Sequence, residues 1–66
     1  MMNLIEGLIY EINRNRELLK AYEEIGPAGK IGAMFIKRDI QMAEEAMGSG
    51  DLVAMMRSHE TLKASE

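Results

Sequence analysis

The sequence contains no cysteine and no tryptophan, and only one histidine, one proline and one phenylalanine in 66 residues. Without cysteine there is no disulfide and no thiolate metal site. A single imidazole, His59, excludes a metal centre built on several histidines, and no cofactor is expected. A long uninterrupted apolar run is also missing. Glu6 and Glu11 break the apolar N-terminal stretch, so neither a signal peptide nor a membrane span is expected there, and cytoplasmic residence is the expectation that follows. The net charge is −3 and no third of the chain carries an excess of Lys and Arg. Phosphate neutralisation needs clustered basic groups, so nucleic-acid binding is disfavoured.

What is present is apolar material at helical spacing. Hydrophobic residues make up 47% of the chain, too many for a disordered segment. Asn3 suits the N-cap of a first helix, with Glu6 three residues later as in a capping box. Apolar residues then recur to Ile25, where Gly26-Pro27 forms a stop: glycine accepts the left-handed cap and proline cannot continue the helix. The spacing predicts helix 1 over about 3–24. Pro27 suits the first turn of helix 2, while Gly29 and Gly32 weaken it, leaving its start between Pro27 and Ala33 and its span at about 28–47. Gly48-Ser49-Gly50-Asp51 is the next break, with Gly48 as C-cap and Ser49 or Asp51 as N-cap, and helix 3 follows over about 51–63. The expectation is one all-α domain over 1–66, a long antiparallel hairpin plus a shorter third helix.

The apolar lines are broad for so short a chain. Helix 1 carries Ile5, Leu8, Ile12, Asn15, Leu19 and Tyr22 at spacings of three and four, a seam with one polar member, and Leu4, Ile9 and Leu18 widen it. Helix 2 carries Ala33, Ile36, Ile40, Ala43 and Met47, and a second line of Phe35, Asp39, Met42 and Ala46. Helix 3 places Leu52, Met55, Met56, His59 and Leu62 on one face. A domain this small is marginal alone, and oligomerisation is a common remedy. The expected assembly is therefore a homo-oligomeric helical bundle, a dimer first, with Ile5, Leu8, Ile9, Ile12 and Asn15 in the interface.

Three polar residues on or beside these lines, Asn15, Arg16 and Asp39, stand at similar levels of an antiparallel hairpin. Buried polar groups need partners, so the expectation is a structural polar layer with Asp39 reaching Arg16 or Asn15. Seven methionines supply adaptable apolar surface, and Met55, Met56 and His59 form a candidate surface for a larger protein partner. The catalytic motifs fail residue by residue. His59-Glu60 opens like HExxH, but Lys63 stands where the second histidine is needed. Gly26-Pro27-Ala28-Gly29-Lys30 is too short for a phosphate-binding loop and is followed by Ile31, not Ser or Thr. No catalytic residue is identified. The sequence thus points to a non-catalytic interaction or regulatory module that self-associates. The alternative is a DNA-associated regulator using helices 2 and 3, with Arg57, Ser58, His59 and Lys63 on the recognition helix.

Overall fold

A computed structural model describes residues 2–66 of the chain. Three α-helices follow one another: α1 over Leu4–Ile25, α2 over Lys30–Ser49 and α3 over Leu52–Lys63, with a 3-10 turn, Pro27–Gly29, between the first two. Among the described residues there is no strand. No helix is long and apolar enough to cross a membrane.

Local chemistry sets each boundary. The Asn3 side chain accepts the Glu6 N–H at 2.9 Å and closes the first turn of α1. Gly26 ends it at φ 85°, donating its N–H to the Glu23 carbonyl. The uncertain start of the second helix resolves into the 3-10 turn from Pro27, with α2 proper from Lys30. A close approach imposes that turn: a Cβ on Gly29 would run into the Tyr22 carbonyl oxygen and the Ile25 side chain, so only glycine fits. Gly32 is tight for another reason, since the Tyr22 ring occupies the space a side chain would need.

The second break lies later than the sequence implies. Gly48 and Ser49 remain helical, and Gly50, at φ 69°, takes the left-handed cap in place of Gly48. Its N–H reaches the Met47 carbonyl. Asp51 then caps α3, its Oδ1 accepting the Ala54 N–H at 3.1 Å.

The three helices pack against one another in every pairing. Leu8 and Ile12 of α1, Ile36, Ile40, Ala43 and Ala46 of α2, and Met55 and Leu62 of α3 form one buried core. Leu8 and Leu62 are fully buried, and burying a leucine is worth roughly 1.5–3 kcal/mol. The third helix does not simply return along α2, as the short turn suggests. It also covers α1, where Gly7 meets His59 and the Asn15 amide reaches the Leu62 carbonyl. Twelve helical residues span only about 18 Å, against 35 Å for the long axis of the molecule. The third layer therefore covers part of the hairpin and not all of it.

Candidate interaction surface

The polar residues singled out in the sequence do not form one layer. Asn15 is fully buried, and its Nδ2 donates to the Glu11 carbonyl at 2.8 Å and the Leu62 carbonyl at 3.1 Å. Its Oδ1 is buried without a partner. Arg16 faces outward and pairs with Glu44 at 2.5 Å, not with Asp39. Asp39 is mostly covered, and its contact is with the neighbouring Arg38 at 3.5 Å. Equal height along a hairpin does not guarantee contact: rotation about each helix axis points Arg16 and Asp39 in different directions.

Arg14, which the periodicity passes over, takes the central polar position. Its Nε pairs with Glu11 at 2.8 Å, while Nη2 donates to the Leu62 carbonyl at 2.7 Å and the Ser65 carbonyl at 3.1 Å. The last carbonyls of a helix lack intrahelical donors and carry partial negative charge. A guanidinium from α1 thus closes the C-terminus of α3. A terminal orphan carbonyl is the signal that could have pointed here, but which cation meets it is decided across 48 residues of sequence. Tyr22 makes a related contact, its hydroxyl donating to the Glu66 carbonyl at 2.5 Å.

The expected interface on α1 divides in two. Leu8, Ile12 and Asn15 are buried within the chain beneath α2 and α3, so they cannot meet a second copy without opening the core. Ile5 and Ile9 are exposed. The third helix is corrected in the same way. Met55 and Leu62 are buried, with Ser58 between them, and His59 is half-buried against Gly7. Leu52 and Met56 face outward, so of Met55, Met56 and His59 only Met56 is a freely exposed surface residue. The same burial withdraws Ser58, and much of His59, from the face that would enter a DNA groove. Arg57 and Lys63 remain exposed there. Among the described residues no group of three His, Cys, Asp or Glu side chains is placed to hold a metal.

A second apolar exposure lies where the sequence suggested core. Of the second line on α2, only Ala46 is buried. Phe35 is 48% exposed and Met42 55%, and Ile31 and Met34 are exposed beside them. Their spacing places all four within roughly a 100° arc of α2, turned away from the buried line of Ile36, Ile40 and Ala43. Met34, Phe35, Lys37, Arg38 and Gln41 line one shallow cleft. Met42 and Val53 share another where α2 meets α3. The Arg38 guanidinium lies 4.9 Å over the Phe35 ring, holding an apolar and a cationic group together on the outer face.

Comparison with protein-family models, with characterised proteins and with solved structures gives no match to this chain.

Proposed function

We propose that this chain is a non-catalytic helical module that works through protein–protein contact and self-associates. The observation that carries this reading is the exposed stripe of Ile31, Met34, Phe35 and Met42 on α2. Single exposed apolar side chains are ordinary on a monomer, but several large ones gathered on one arc of a helix are characteristic of a contact surface. Among the described residues nothing covers these side chains: α3 is shorter than α2 and meets this face only at its Met42 edge, beside Val53. Each such side chain is already partly covered and regains roughly 1 kcal/mol or somewhat more if a partner buries the rest, which over four side chains is a large sum for a domain of this size.

The test is the mass in solution. Sedimentation equilibrium over a micromolar concentration series should give a weight-average mass that rises above the 7.4 kDa of one chain. A species that stays at one chain mass throughout the series overturns self-association.

A further inference from the structure

We infer that self-association pairs α2 with α2 of a second copy, antiparallel, about a two-fold axis passing between Gln41 and Met42. The inference rests on the reading that the chain self-associates, and it replaces the α1 seam with a defined surface. Three features select a second copy as the occupant of this face. The first is charge. The first half of α2 carries Lys30, Lys37 and Arg38 against the single, mostly covered Asp39, a net charge of +2, and the second half carries Glu44 and Glu45, a net charge of −2. A helix that is basic in one half and acidic in the other is complementary to itself only when antiparallel. The second is register. Arg38 and Glu45 are two turns apart on the exposed side, separated by about 10 Å along the axis, with Met42 between them. Setting Arg38 against the partner's Glu45 automatically sets Glu45 against the partner's Arg38, as an isologous contact requires. The third is availability. Among the described residues Glu45 makes no ion pair within its own chain, whereas Glu44 is held by Arg16. Arg38 touches only Asp39 and the Phe35 ring, which leaves most of its five N–H donors free.

In this register the Met42 side chains of the two copies meet at the axis. Phe35 and Ile31 are carried over the last turn of the partner's α2, towards the start of the partner's α3. Val53, exposed there beside Met42, extends the apolar strip. The ion pairs lie beside this strip and disfavour a parallel pairing, which would oppose like charges.

Charge exchange tests the arrangement directly. Arg38→Glu and Glu45→Arg should each weaken dimerisation about tenfold or more, since each places two like-charge pairs at the two-fold contact. The double variant R38E/E45R should return to within about threefold of the parent, because both pairs are rebuilt with reversed sign. All the altered side chains are exposed, and circular dichroism confirms that each variant stays helical. A double variant that remains as weak as the singles overturns this register. Dimerisation unaffected by either single variant overturns the α2 surface while leaving self-association intact. A parent protein that is monomeric throughout overturns both readings. Lipid is the competing occupant of a basic and apolar face. Co-sedimentation with anionic vesicles that Arg38→Glu abolishes and Glu45→Arg strengthens would assign the face to a membrane surface and overturn the proposal.

Discussion

The Asn15 side-chain amide donates to the Leu62 carbonyl at 3.1 Å, tying the middle of α1 to the end of α3 in a place no water reaches. The second Nδ2 hydrogen goes to the Glu11 carbonyl, so both donors are used on backbone acceptors. Asn15→Ala removes two buried hydrogen bonds and empties a fully buried side-chain site, and should cost about 1–3 kcal/mol. Asn15→Asp should cost more, because it replaces the donors with a carboxylate facing two carbonyl oxygens. Urea unfolding of the two variants provides the ranking, and an aspartate variant as stable as the alanine one would contradict this geometry.

Arg14 joins the same junction from the solvent side. Removing it as Arg14→Ala frees the α3 carbonyls and leaves the mostly buried Glu11 without its cation. The guanidinium is about one-third exposed, so the loss should be modest, about 1–2 kcal/mol. Arg14→Lys should recover less than half of that, since one ammonium cannot serve Glu11, Leu62 and Ser65 with the geometry of a fork. Hydrogen exchange localises the effect: amides in the last turn of α3 should lose protection before those of α2.

Two leucines ten residues apart on α3 should behave as opposites. Leu62→Ala opens a cavity beside Leu8 and Ile12 in the shared core and should cost about 2–5 kcal/mol. Leu52→Ala removes an exposed side chain and should change stability by less than about 0.5 kcal/mol. Equal losses at the two sites would restore the simple one-face reading of this helix.

The first turn makes a sharper demand. Gly29→Ala forces a Cβ against the Tyr22 carbonyl, and backbone cannot swing aside as a flexible side chain does. The variant should lose about 2 kcal/mol or more, although alanine is the better helix former. Gly7→Ala meets only the tip of the His59 ring at 3.2 Å, which can rotate away, and the gain in helix propensity of about 1 kcal/mol offsets much of the contact. Thermal melts of the pair should therefore diverge clearly.

Helix identity was legible because its causes are local. Asn3, the Gly26-Pro27 stop and Asp51 act within a few residues of their own positions, and the 3.6-residue recurrence of apolar side chains reports an amphipathic helix without reference to its neighbours. Even here, the exchange of Gly48 for Gly50 as the cap of α2 turned on one backbone conformation that either glycine can adopt.

Which side of each apolar helix becomes core is a different kind of question. Ile12 and Ile9 belong to the same broad stripe, yet Ile12 is buried and Ile9 exposed, because α2 and α3 close over one edge of the stripe and not the other. Phe35 and Ala46 share a line along α2 and part company for the same reason. Arg14 and Asn15 found their acceptor at Leu62 only once α3 had crossed α1, a contact whose two ends lie almost at opposite ends of the chain. The sequence by itself determined three helices and their breaks, since capping and periodicity are short-range. The tertiary structure alone decided burial, polar partnership and the exposed row on α2, because these depend on the rotation of each helix about its axis, which is settled by the packing of all three helices together.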